Sequence, residues 1–200
     1  MIPAVVAAAT TTGILVYYLR APMSTSEDEQ KKDASSTGNG SKQDVGQEED
    51  SACGPKNGSQ EFIYSDGSKY SGQWVDDLRH GQGVYTEMNG SSYSGGWANG
   101  QKHGTGTFAF ASGSSYTGGW VNGKKQGEGL YTFASGSIYE GTFKEDQYNG
   151  LGCMKYANGT SYSGQWKEGM KEGRGTYTYN DGNAWTGEWE KNQQKGSMFC

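Results

Sequence analysis

From residue 70 onward, apolar and polar positions alternate in short bursts. Tyr93, Gly95 and Trp97 stand two apart, as do Gly104, Gly106 and Phe108, with small or polar residues between them. Period-two alternation in residues that favour extended backbone predicts β-strands, and the Asn-Gly, Asp-Gly and Ser-Gly pairs between bursts predict hairpin turns. The bursts recur at a fixed interval: Tyr70, Tyr93, Tyr116, Tyr139, Tyr162 and Trp185 lie 23 residues apart, each with a Gly two places behind it. Such a period means an array of small units, none able to bury its apolar side alone. The expected array runs over 58–200, as a half unit at 58–69, full units at 70–92, 93–115, 116–138, 139–161 and 162–184, and a partial unit at 185–200.

Turn chemistry decides which residues share a face. A two-residue turn at Asn89-Gly90 would pair Thr86 with Tyr93 and send Tyr85 to the other side of the sheet. A three-residue loop with Gly90 in the left-handed region pairs Tyr85 with Tyr93 instead. The second register gathers the aromatics of all units into one stripe and sets Gly83 opposite Gly95, leaving room for rings to lie flat across the gap. The expected fold is therefore all-β, an elongated antiparallel meander of 23-residue hairpins.

The chain before the array has a different character. Residues 2–19 carry no charge, and as a helix they would span roughly 27 Å, enough to cross a hydrocarbon core. Arg20 closes the segment, and the nearest basic residues all follow it, which favours a membrane anchor at residues 1–20 with the remainder in the cytosol. A signal or targeting peptide and a segment buried against a partner remain alternatives. Residues 21–57 contain no aromatic residue and are rich in Ser, Gly, Lys, Asp and Glu, the composition of a disordered acidic linker.

Composition narrows the function. With 34 Gly and 32% hydrophobic residues, of which rings are a large share, the chain cannot fill one large core. A net charge of −5 argues against nucleic-acid binding, which draws its affinity from Lys and Arg meeting phosphates. His80 and His103 occupy the same repeat position, and Cys53, Cys153 and Cys200 lack ligand spacing, so no metal site is expected. The Gly-x-Gly pairs lack the strand-to-helix setting of a phosphate loop. Neither a catalytic site nor a cofactor is expected.

The spacing Tyr-x-Gly-x-Trp-x-x-Gly-x-x-x-Gly-x-Gly, read from Tyr93 through Trp97, Gly100 and Gly104 to Gly106, resembles the MORN repeat, the membrane occupation and recognition nexus motif. The resemblance implies a twisted antiparallel sheet with an aromatic-lined groove. It also implies a scaffold of membrane junctions, cilia or cytoskeletal assemblies, some members of which bind phospholipids or a partner peptide. The unit from Tyr139 departs most, with Phe143 for Trp, Asp146 for Gly and Met154 for the second-strand aromatic. Asp77 also replaces a mid-unit Gly.

Two candidate surfaces follow. A single sheet has no second layer within the chain, so Tyr93, Trp97, Phe108, Tyr116, Trp120, Tyr131, Tyr162, Trp166 and Tyr177 are candidates to receive a helix or extended peptide from a protein partner. Stacking on one another as core is the plainer role for the same rings, and the two readings can hold together. Arg79, Lys102, Lys124, Lys125, Lys171 and Arg174 are expected at loop tips, as a stripe that could meet anionic phospholipid headgroups. From residue 58 onward, however, 12 basic residues face 14 acidic ones, which weakens that attraction. The functional expectation is a non-catalytic scaffold, membrane-associated through residues 2–19. A phospholipid-binding module is one alternative, and a structural subunit of a cytoskeletal, ciliary or organellar-membrane assembly is another.

Overall fold

The alternating bursts are strands, and each strand pairs with its neighbours in the chain. The computed structural model describes residues 56–196. The order is β1 (Gly58–Ile63), β2 (Lys69–Val75), β3 (Leu78–Thr86), β4 (Ser92–Ala98), β5 (Gln101–Ala109), β6 (Ser115–Val121) and β7 (Lys124–Thr132). There follow β8 (Ile138–Lys144), β9 (Gln147–Lys155), β10 (Ser161–Lys167), β11 (Met170–Thr178), β12 (Ala184–Glu190) and β13 (Gln193–Lys195). They form one 13-stranded sheet in sequence order, antiparallel throughout. The helix expected at residues 1–20 and nearly all of the linker expected at 21–57 lie outside the described residues. Among those described, no helix is long and apolar enough to cross a membrane.

Within each unit the first strand has seven residues and the second nine, as in β4 and β5. A bulge absorbs the difference: Gly95 pairs with Gly106, while Trp97 pairs with Lys102. The shift is by two residues, so side-chain parity survives it. Lys102, Gly104, Gly106 and Phe108 therefore share the face of Tyr93 and Trp97.

Two turns alternate along the array. The mid-unit turn has two residues with positive φ, Asn99 at 49° and Gly100 at 78°, the geometry whose twist matches a hairpin. Asp77 and Asp146 adopt it at 63° and 70° where most units have Gly. Their side chains offset the strain, since Asp77 Oδ1 accepts the Lys56 backbone N–H at 2.8 Å and Asp146 Oδ1 accepts that of Lys125 at 2.9 Å. In the inter-unit loop, Glu87 N–H donates to Ser91 C=O at 2.8 Å and Gly90 sits at φ 89°. Three residues thus close the loop, and Tyr85 pairs with Tyr93.

The core is built inside a single layer. Tyr93 is 0% exposed because its ring lies flat over the Gly95 and Gly106 pair. A Cβ added at Gly95 would stand 2.7 Å from Tyr93 Oη, and one at Gly106 would stand 2.5 Å from its Cζ. Trp97 and Trp120 close on the ring edgewise, with centroids 5.2 and 5.3 Å away, the arrangement that ring quadrupoles favour. Tyr93 Oη donates to Gly96 C=O at 3.0 Å, and Trp97 Nε1 donates to Gly83 C=O at 3.2 Å. The tyrosine bond recurs at Tyr70, Tyr116, Tyr139 and Tyr162, so the tyrosine that opens each full unit also satisfies its polar atom.

The irregular unit keeps this plan by a concerted exchange. Its register matches that of its neighbours, with Gly141 opposite Gly152 and Phe143 opposite Tyr148. Tyr148 occupies the position that is Lys102 or Lys125 in earlier units, and stacks on Tyr139 at 3.8 Å and 23°. Phe143 and Met154 are both buried.

Candidate partner-binding face

Stacking successive units turns the repeated positions into rows running across the strands. Tyr93, Trp97, Phe108, Tyr116, Trp120, Tyr131, Tyr162 and Trp166 all lie on one face in such rows, and all eight are buried within the chain. Tyr177 lies on the same face and is half-buried. The stripe therefore serves first as the core. What it offers outward is a second set of half-buried rings packed against that core, including Tyr64, Tyr85, Phe110, Tyr156 and Trp185. Tyr85 and Tyr177 are tied by hydroxyl bonds to Ser68 and Thr160 at 3.2 and 2.9 Å.

Four of the six basic residues expected at loop tips stand elsewhere. Arg79, Lys102, Lys125 and Lys171 pair across the hairpin with Trp74, Trp97, Trp120 and Trp166, and so belong to the aromatic face. The Arg79 guanidinium lies 4.5 Å from the Trp97 ring centre and 4.9 Å from that of Tyr85. Lys102 Nζ is 4.4 Å from both Phe108 and Trp120. Lys125, only 3% exposed, lies 4.8 Å from Tyr131, and Lys171 lies 5.1 Å from Tyr177 and from Trp189. The negative faces of the rings attract these cations, and it is strand alternation that sets them there in place of the expected solvent-facing stripe. The sequence held the signal: counting back by twos from Phe108 through Gly106 and Gly104 arrives at Lys102. Lys124 and Arg174 do point to the opposite face, and Lys124 is ion-paired with Glu145 at 3.6 Å.

Burial sets the electrostatics of this face. The hydroxyls of Tyr70, Tyr93 and Tyr162 are pushed up to about 12 by desolvation, and those of Tyr116 and Tyr139 move further in the same direction for the same reason. Desolvation lowers Lys102 to about 8. The strands give the aromatic face one sign of charge and the other face both, since Lys69, Lys124, Lys144, Lys155, Lys167, Arg174 and Lys195 alternate to the latter. By register, the strand residues of the aromatic face include Arg79, Lys102, Lys125 and Lys171 and no acid. Glu61, Glu128, Glu140, Glu172, Glu188 and Glu190, the acids carried by strands, alternate to the other face. Loop carboxylates also reach the aromatic rows: Asp146 and Glu87 both act on Lys102, and the Asp66 and Asp181 oxygens accept from Ser68 and Asn183.

Among the described residues, no group of three or more His, Cys, Asp or Glu could hold a metal ion.

Comparison with known proteins agrees with the repeat. Among curated proteins, none matches the chain. Among solved structures, the chain shares 16% identity with the Drosophila melanogaster SAS-4 (dCPAP) TCP domain, solved in complex with a proline-rich motif of Ana2 (dSTIL). The TM-score is 0.38, over 68% of this chain and 84% of that one. A virginiamycin B lyase from Staphylococcus aureus shares 15% identity at a TM-score of 0.18, over 70% of this chain and 43% of that one. The family model for the MORN repeat matches residues 70–92, 93–115, 116–138, 139–161 and 162–184. Those five consecutive matches, on the hairpin units that the sheet repeats, mean that the chain belongs to the MORN-repeat family.

Proposed function

We propose that this protein is a non-catalytic scaffold that recruits a protein partner to its aromatic face while residues 2–19 hold it at a membrane, with the array on the cytosolic side. The observation that carries this reading is the continuity of that face: one unbroken sheet carries half-buried rings packed against its core along the array, among them Tyr64, Tyr85, Phe110, Tyr156 and Tyr177. Phospholipid binding through loop tips is less well supported. Arg79, Lys102, Lys125 and Lys171 are turned onto rings, and Lys124 is paired with a carboxylate.

The test uses the half-buried rings rather than the core. Trp97 and Trp120 hold the sheet together, so their loss would destabilise the fold and binding alike. Tyr85→Ser and Tyr177→Ser remove ring surface at the rim. The full-length protein in mild detergent, with either change, is expected to lose a partner captured by the wild type while its circular dichroism stays the same. Capture that is unaffected by both changes together would refute the reading.

A further inference from the structure

Resting on the scaffold reading, we infer that the partner segment is acidic and extended, and that it lies across the strands with its carboxylates over Arg79 and Lys102. The aromatic face carries strand charge of one sign only. A sheet whose charges were placed only for solubility would mix signs on both faces. Here the strands carry four cations and no acid on the aromatic side, whereas the other side mixes their acids with Lys69, Lys124, Lys144, Lys155, Lys167, Arg174 and Lys195.

Capping the rings does not by itself require those charges. Tyr148 fills the same position with a neutral ring stacked 3.8 Å from Tyr139, and the register there is unchanged. The positive residues at the equivalent positions therefore add something that packing does not need. Arg79 and Lys102 are half-buried, Arg79 beside the half-buried Tyr85 and Lys102 over Phe108 and Trp120. A carboxylate arriving there would meet a cation already held in place by rings and partly stripped of water, which strengthens the attraction relative to a solvated pair.

Spacing specifies the segment. Arg79 and Lys102 are one unit apart, which is two strand spacings or about 9.5 Å. An extended chain in the polyproline II conformation advances about 3.1 Å per residue and returns every third side chain to the same face, so about three residues cover one unit. The fitting pattern is an acidic residue at every third position, with small or apolar residues between them against the rings.

The probe is a fluorescein-labelled peptide of repeated Glu-Ser-Ser, compared with its Gln-Ser-Ser and Lys-Ser-Ser counterparts by fluorescence anisotropy on the full-length protein in detergent. The Glu peptide is expected to bind, to weaken as salt rises, and to lose about fivefold in affinity with Arg79→Gln or with Lys102→Met. The Gln and Lys peptides are expected to bind at least as weakly as the Glu peptide does to the double variant. Equal binding of Glu and Gln peptides, or no binding of either, overturns the inference. If partner capture still depends on Tyr85 and Tyr177 in that case, the scaffold reading stands without it. Phosphatidylserine vesicles binding through Arg79 and Lys102, where the Glu peptide does not, would assign the face to a membrane and overturn it too. So would Glu-peptide binding that appears only after residues 44–50 are deleted, since the occupant would then be the chain's own acidic run.

Discussion

Gly106→Ala separates two accounts of why the second strand of each unit carries Gly-x-Gly. Propensity alone says that Ala should help, since Gly inside a strand costs about 0.5 to 1 kcal/mol relative to Ala. The structure says the reverse. Gly106 has no positive φ, so Ala meets no backbone strain there, but its Cβ would stand 2.5 Å from Tyr93 Cζ and 2.7 Å from Cε2. The Tyr93 ring has nowhere to retreat, being fully buried between Trp97 and Trp120. Overpacking of this kind costs about 1 to 3 kcal/mol. Displacing the ring also strains its 3.0 Å bond to Gly96 C=O, adding about 1 kcal/mol. Against the entropic gain, the net expectation is a loss of about 2 kcal/mol. Urea unfolding followed by tryptophan fluorescence measures it directly. The same Gly106→Ala change in a Tyr93→Leu background should cost little or nothing, because the obstructing ring is gone, and the double-mutant cycle isolates that coupling. A Gly106→Ala protein more stable than wild type would refute the cradle, and the account of the array's core with it.

Three further predictions rest on the same geometry. The hydroxyls of Tyr70, Tyr93 and Tyr162 are held up to about 12 in the folded protein, whereas an unfolded phenol ionises near 10. The folded state thus keeps protons that the unfolded state gives up. Their contribution to stability is fully present below about pH 10 and is lost as pH rises through about 12. Urea midpoints measured alongside tyrosinate absorbance should fall together across that window, and early titration without unfolding would contradict the burial. For Lys102 the sign is opposite: the folded ammonium loses its proton near 8 and the unfolded one near 10.5, so its burial penalty is relieved as pH rises between those values. Lys102→Met is expected to remove that relief and to equal or exceed wild-type stability at neutral pH, as read by thermal melts. At the mid-unit turn, Asp146→Ala loses the 2.9 Å bond to Lys125 N–H while keeping φ at 70°, and should cost about 2 kcal/mol. Asp146→Gly loses only the bond and should cost about 1 kcal/mol or less, an order that chemical denaturation can check.

Much of this protein was legible without coordinates, because a repeat states its own register. The interval from Tyr93 to Tyr116 sets the unit, alternation sets the faces, and the left-handed Gly90 sets the partner of Tyr85. Each of these is a local rule, determined by chain geometry over a few residues. Gly83 opposite Gly95 followed from the same rules. Even the placement of Lys102 was available by counting in twos, had the loop reading not taken precedence.

What only the tertiary structure decided was burial and the company each side chain keeps. Whether Tyr93 is an exposed platform or a core residue depends on how close the next unit's Trp120 comes, and that distance is set by twist and bulge rather than by sequence spacing. At 5.3 Å the rings close over one another, and eight of the nine expected binding residues become core. Strand alternation brings Arg79 and Lys102 to the aromatic side, and the same closeness sets them over ring faces rather than at the rim, where ring attraction offsets part of the desolvation. Sequence determined the period, the strands and the faces. Packing between units, which no single unit encodes, decided what those faces leave accessible to a partner.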